Sequence, residues 1–469
     1  MPVPSARRVV TIHGLFVTMT HVLRELAGIR DLLPLSATDP ARYPGLLESA
    51  ARGTPRARYD ILFAFPQAAI RLGAGDLHLG PGRGGRGFLD ALDTAWAAER
   101  LTGGGPQLPF RGGWLLYLGY ELAREIEPTL RLPGVDWPGM PVALALRCPA
   151  AIVVDHVRGI TTLVAEPGHA GLLDAMQSDL ESAPPAVPAL PPLRALEEDP
   201  PQAFLDGVAC VHRHLLDGNV FQANISRAWH ATFEAPVVPA SLLAALRRAN
   251  PAPFAGLLQQ PGWAIASSSP ERLLESRDGC VQTRPIAGTR PRASGSADAE
   301  NLRALVLHPK ERAEHVMLVD LQRNDLGRVC VPGSIAVDEF MVTESHAHVH
   351  HIVSNVRGEL RAGTTPGQAI AAVFPGGTIT GCPKVRCMQV IGDIEGVGRG
   401  AYTGALGYLD RSGDLDLNIL IRTLVASGHR VGFRAGAGIV ADSVAEAELA
   451  ETRAKARGLL RALGIAEND

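Results

Sequence analysis

Two short stretches of the chain bring acids together at helical spacing. Glu448, Glu451 and Lys455 stand at i, i+3 and i+7, which lines two carboxylates and an ammonium along one stripe of a helix. Glu311 and Glu314 repeat the device, behind Pro309, which suits a first helical turn, and ahead of the apolar Met317, Leu318 and Leu321. Taken singly, each pair reads equally well as a solvated helix face, and Glu451 with Lys455 as an ordinary ion pair. Facing one cleft, they become a site. Unit charges ~4 Å apart repel by about 4 kcal/mol at an effective dielectric near 20. Such a cluster calls for a cation, and oxygen ligands with room for water and substrate oxygens suit Mg²⁺ better than zinc.

Other residue types could act on a ligand. In AGAGIVADS, residues 435–443, Gly436 and Gly438 read as a glycine turn between a strand and a helix, where amide N–H groups can approach an anion closely. Ser443 and Glu446 have the spacing of a capping box at that helix start. Arg422 lies in the apolar run LNILIRTLV, residues 417–425, and a buried arginine needs an anionic partner, structural or ligand. Glu271, after Pro270, reads most simply as a turn acid, and Gly288 with Thr289 as a plain turn. On a strand, His346, His348 and His350 would share one face, spaced for zinc but with no open acidic or water position beside them; His351 would point the other way, as core histidines do. Two nucleotide motifs fail. FPGGTITGCPK, residues 374–384, has Cys382 where a phosphate loop needs lysine, and the glycines at 436 and 438 leave too little chain to complete a βαβ unit.

The elements that must position these groups lie mostly after a proline-rich segment, 181–201, which excludes a regular helix or an inner strand. It separates an amino-terminal lobe, 1–180, from a region, 202–469, that holds every candidate residue. Helical spacing covers 204–217 and 298–326, the latter broken at Pro309; residues 220–229 alternate like a strand; 402–409 and 417–425 read as paired strands about a polar turn. With 469 residues, 46% of them hydrophobic, the chain can bury a large core. A net charge of -3 argues against nucleic acid or a membrane surface as the main partner. Six scattered cysteines fit a reducing cytoplasm. No stretch is apolar enough to span a membrane, and Val9–Ile12, interrupted by His13, does not read as a signal peptide.

RPIAGTRPR at 284–292, KERAEHVMLVDLQRNDLGR at 310–328, HHIVS at 350–354, GGTITGCPKVRCM at 376–388, IRT at 421–423 and AGAGIVADS with ETRAK behind it resemble the chorismate-utilising enzymes. The resemblance is dense from 204 to 463. It implies an α+β fold of two large antiparallel β-sheets packed across each other with helices outside, and the site between them. It also implies roles. Glu314 and Glu451 would bind Mg²⁺, with Glu311 and Glu448 completing the acidic shell, and the ion would hold the ring carboxylate of chorismate. Arg422, Tyr402, Lys455 and the amides of Gly436 and Gly438 would take the enolpyruvyl carboxylate. Gly288, Thr289 and Thr378 would line the ring, His351 would assist departure of the 4-hydroxyl, and Glu271 would be the general acid/base.

Within the family, Gln222 stands where isochorismate and salicylate synthases place a water-activating lysine. QANISR at 222–227, SPER at 269–272, the paired His350-His351, and LLES at 46–49 followed by RYDILFAFP at 58–66 are most similar to aminodeoxychorismate synthase component I; anthranilate synthase component I is next. The resemblance thus implies amination of chorismate to 4-amino-4-deoxychorismate on the way to 4-aminobenzoate and folate. Ammonia would come from a separate glutamine amidotransferase subunit, and the LLES region would form a pocket able to bind tryptophan. One departure matters: Ala287 stands where many such synthases carry a lysine that attacks C2, and a methyl group is no nucleophile.

Overall fold

A computed structural model describes residues 10–12, 15–17, 21–50, 58–73, 77–78, 86–101, 107–182, 184–292, 295–345 and 349–465. Its strands form two antiparallel sheets, of 14 and 11 strands among the described residues. Each sheet takes strands from both sides of the 181–201 segment. Tyr59–Ala64 and Ala150–Asp155 share the first sheet with Trp263–Ser269, Thr423–Ser427, Arg430–Ile439 and Gln222–Phe233. Gly113–Leu118 and Ala143–Cys148 share the second with Arg272–Arg277, Leu415–Ile419 and Val349–Glu359. Leu193–Glu198, inside the proline-rich segment, is the edge strand of the first sheet, where flanking prolines interrupt no ladder on the outer side.

The layers follow from which faces are apolar. Ile61, Phe63, Val153 and Ile265 of the first sheet meet Leu115, Tyr117, Leu144 and Leu406 of the second in a common core. The outer face of the first sheet is covered by Pro239–Ala249 and Ala445–Ala462, through Leu242, Leu246, Ala456 and Leu459. The outer face of the second is covered by Phe88–Glu99 and Pro309–Gly327, through Phe88, Leu92, Val319 and Leu326. The α+β architecture expected from the sequence is therefore present, with sheet on sheet and helices outside.

Three local expectations are corrected. The run 417–425 is not one strand paired to 402–409: Leu415–Ile419 pairs with Ala405–Asp410 in the second sheet, whereas Thr423–Ser427 pairs with Trp263–Ser269 in the first. A continuous apolar run hides the change of sheet, because both halves are buried. Gly436 and Gly438 lie within the strand Arg430–Ile439, and the turn comes after them. The Ser443–Glu446 capping box does not form: Val444 caps the helix Ala445–Ala462, and the Ser443 hydroxyl donates instead to Glu448 Oε1 at 2.6 Å. Its oxygen accepts the Val440 amide at 3.1 Å, outside the helix, so the hydroxyl is engaged on both its donor and its acceptor side. The break at Pro309 is where the sequence put it, with His308 accepting the Glu311 amide at the helix start.

Candidate active site

Two pairs of strands change layer: Tyr59–Ala64 with Ala150–Asp155 continue into the second sheet as Ala68–Leu72 with Ala143–Cys148, and a second pair makes the crossing that carries the candidate residues. Trp263–Ser269 and Thr423–Ser427 pair in the first sheet; their continuations, Arg272–Arg277 and Leu415–Ile419, pair in the second. At the crossing Ser268 N–H bonds Arg422 O and Ile419 N–H bonds Glu271 O, both at 3.0 Å. Glu271 and Arg422 are thus the residues in which the chain turns from one layer to the other. Arg422 adopts a left-handed φ of 51°, a conformation in which a non-glycine residue is strained.

Glu271 is buried and held. The Thr378 hydroxyl donates to its Oε1 at 2.8 Å, and the Ile286 amide also bonds the carboxylate. Burial raises its pKa to about 7 against the pull of these donors and of Lys455 and Arg422. A carboxyl poised there can both give and take a proton at neutral pH. The Arg422 guanidinium has no hydrogen bond or ion pair among the described residues; burial lowers its pKa, opposed by Glu271. A desolvated, unneutralised guanidinium is a receptor for an anion.

The acidic helices come together beside this crossing. Gln222 Nε2 donates to Glu314 Oε1 at 2.8 Å, and Lys455 Nζ lies 2.7 Å from Glu451 Oε1 and donates to Gly436 O at 2.9 Å. Burial raises the Glu314 carboxyl, Glu451 and Glu311 add to the rise, and Gln222 and Lys455 oppose it. Burial works against the Lys455 charge, yet Glu451, Tyr402 and Glu314 outweigh it and raise its pKa. Glu451 and Lys455 keep 49% and 43% of their side chains exposed, as the wall of an open cleft does.

The two remaining acids are already engaged. Glu311 Oε1 pairs with Arg290 at 2.6 Å, while its buried Oε2 has no hydrogen-bond partner among the described residues. Glu448 is turned to Ser443. The expected four-carboxylate shell is therefore a central pair, Glu314 and Glu451, with two flanking acids. No three acidic, histidine or cysteine side chains among the described residues sit closely enough to grip an ion as they stand. The donors nevertheless fit Mg²⁺: the buried Glu314 carboxylate, the half-exposed Glu451 carboxylate beside it, a buried Gln222 Oε1 lacking a hydrogen-bond partner among the described residues, and solvent access for water.

The glycines explain how the elements come so close. Gly288 has φ 72° on the strand Ile286–Pro291, and a Cβ there would collide with Glu311 Oε2. Gly438 would collide likewise with Gln222 Nε2, and a Cβ on Gly436 would lie 2.8 Å from the Tyr402 hydroxyl. Gly436 and Gly438 face Ser226 and Asn224, whose amides bond Glu395 and Thr380 O on the far side. These are non-hydrogen-bonded pairs, so the glycine amides turn to the other edge, where Thr423–Ser427 has its last partner at Gly432. Their N–H groups are open to a ligand, by strand geometry and not by the turn read from the sequence.

His351 is buried opposite Thr289, whose side chain lies outside the described residues. His350, also buried, is held by Ser345 and Asp298 at 2.7 and 3.0 Å, a structural pairing; His346 and His348 lie outside the described residues. Tyr402 lies under the Arg399 guanidinium, 5.3 Å from its ring centre. Sequence reasoning missed Arg399, Glu395 and Glu121 altogether. The signal was the polar Gln222, Asn224 and Ser226 on a strand buried on both faces, which require partners.

A cavity of about 980 Å³ lies elsewhere, between the sheets near Leu47, Glu48, Ser49 and Arg272. Its position matches the pocket expected at LLES, and none of the candidate catalytic residues lines it.

A family model described as chorismate binding enzyme matches residues 46–461. An anthranilate synthase component I-like protein of Synechocystis is 40% identical over 80% of this chain and 78% of its own length. Aminodeoxychorismate synthase component 1 of Bacillus subtilis is 39% identical over 77% of this chain and 78% of its own. The crystal structure of anthranilate synthase component I from Streptococcus pneumoniae superposes with a TM-score of 0.76 at 30% identity, covering 87% of this chain and 93% of that one.

Proposed function

The chain belongs to the family of chorismate binding enzymes, and from that premise we propose that it is the synthase subunit that aminates chorismate to 4-amino-4-deoxychorismate. The observation that most supports a dianionic ring substrate is charge left unbalanced on two sides of one cleft. Arg422 lacks an anion, and the Glu314–Glu451 pair lacks a full complement of cation. Arg422, Lys455 and the Gly436 and Gly438 amides would take the enolpyruvyl carboxylate, with Tyr402 beside them. Glu314 and Glu451 would hold Mg²⁺, flanked by Glu311 and Glu448. When bound, the ion supplies Lewis acidity and a template for the ring carboxylate.

Glu271, oriented by Thr378, gives its proton to the departing 4-hydroxyl, so that it leaves as water, and recovers one from the nitrogen as ammonia becomes the amine. His351 assists that departure, and Gly288 borders the ring. Ammonia comes from a separate glutamine amidotransferase subunit, and the 980 Å³ cavity is a place for tryptophan.

A second reading is favoured by Ala287. With no nucleophile to occupy C2, ammonia itself can add there as the protonated 4-hydroxyl leaves C4 as water, and loss of pyruvate then yields anthranilate. Relatives bearing both names match at nearly equal identity. The test is product analysis of the pure chain with chorismate, Mg²⁺ and ammonia. Formation of 4-aminobenzoate only after adding aminodeoxychorismate lyase supports the first reading. Anthranilate with pyruvate, lyase or not, overturns it in favour of the second.

A further inference from the structure

Buried behind the cleft lies a densely bonded guanidinium, that of Arg399. Arg399 is 4% exposed. Its Nη2 donates to Asn224 O at 2.7 Å, its Nη1 to Ile379 O at 3.2 Å and Thr403 Oγ1 at 3.4 Å. Nε and Nη2 both reach the Glu395 carboxylate, at 3.0 and 2.7 Å. The plane of the same group covers the rings of Tyr120 and Tyr402, at 5.0 and 5.3 Å. Its own amide, with that of Gly400, is fixed by the buried Glu121 carboxylate at 2.7 and 3.1 Å.

The partners are not a random sample of the core. Asn224 is two residues from Gln222, which holds Glu314. Ile379 follows Thr378, which holds Glu271. Tyr402 abuts Gly436, and Glu395 also receives the Ser226 amide and hydroxyl and lies 3.4 Å from Arg434 on the Gly436 strand. One planar fork therefore joins the metal-side strand, the acid-orienting turn and the carboxylate-side tyrosine. We propose that Arg399 is the positioning residue that holds these three segments in mutual register, so that the Thr378–Glu271 contact and the Tyr402–Gly436 wall are set together. The inference rests on the reading of Glu271 and Thr378 as the acid–base pair. A lysine cannot replace the fork, since a point charge makes none of its paired, planar contacts.

The test uses Arg399→Ala and Arg399→Lys, with Thr378→Val and Glu271→Gln as controls, in the full chain with chorismate, Mg²⁺ and ammonia; thermal melting reports folding. A misplacement of order 1 Å costs about 100-fold in rate, so both Arg399 variants should lose roughly 10- to 100-fold in kcat/KM. The limb of the pH profile near Glu271 should move to higher pH, because the Thr378 donor that lowers its pKa is no longer aimed. Guanidinium ion should restore part of the activity to Arg399→Ala and none to Thr378→Val. A folded Arg399→Lys or Arg399→Ala with the wild-type pH limb and kcat/KM overturns the proposal, as does an activity loss in both with an unmoved limb and no rescue. Should Arg399→Ala fail to fold, Arg399→Lys decides alone. If instead Glu271→Gln keeps full activity, it is the acid–base reading that fails, whatever Arg399 does.

Discussion

The proposed catalytic cleft and the amino-terminal cavity draw on the same strands and treat charge in opposite ways. In the cavity, Arg272 is clamped by Asp416 at 2.8 Å and Glu275 at 3.0 Å, Arg58 by Asp155 at 2.8 Å, and Glu48 by Arg247 at 2.7 Å. In the cleft, a few residues along the same strand pair, Arg422 forms no ion pair among the described residues and Glu314 faces two other acids. Charges that support a fold are neutralised by the fold; charges that await a ligand are left in deficit. The difference in charge balance is a functional marker independent of cavity size.

The comparison breaks if removing a cleft charge harms the fold as removing a cavity charge should. The largest effect is expected at the acid pair. Glu314→Gln or Glu451→Gln should cut kcat/KM for chorismate by about 1,000-fold, roughly 4 kcal/mol, and weaken Mg²⁺ binding by calorimetry, while the melting temperature holds or rises. A fall in melting temperature with activity retained would make the pair structural. Next comes Glu271. Its carboxyl sits at about 7 in the fold against an ordinary 4.5, so the fold favours the protonated form. That contribution is complete below about pH 4.5 and is lost as pH rises through 7, for a total of about 3 kcal/mol. Glu271→Gln should therefore match wild type in chemical denaturation at pH 4 and exceed it at pH 8.5; equal stabilities at both would refute the shift.

Arg422→Met should raise KM for chorismate about 30-fold, about 2 kcal/mol, with stability unchanged or improved. Unchanged KM would remove it from the anion site. In the cavity the signs reverse: Arg272→Met should cost about 2 kcal/mol of stability by stranding Asp416 and Glu275, with KM for chorismate unaltered. Together the two arginines measure the contrast directly.

What the sequence disclosed followed local rules. The paired acids, the helix start at Pro309 and the buried arginine are readable because spacing, proline chemistry and the rarity of arginine in apolar runs are properties of short segments. The change of layer at 420–422 is not local: it depends on which strand each half meets, and an unbroken apolar run is compatible with either outcome. The glycines at 436 and 438 misled for the same reason, since glycine signals turns and close approach alike and only the neighbours Gln222 and Tyr402 tell which. Arg399 escaped because each of its contacts is trivial in isolation; their meaning lies in where the partners' neighbours point. The pairing of acid and anion receptor at a single crossing was beyond any reading of one segment.

That crossing acts as a rivet. Because the same two strands continue through both layers, one sheet cannot slide over the other without dragging the Glu271 carboxyl and the Arg422 guanidinium by equal amounts in one direction. Their separation is insulated from breathing of the layers, so the helices and loops around them can shift while the two groups keep their gauge.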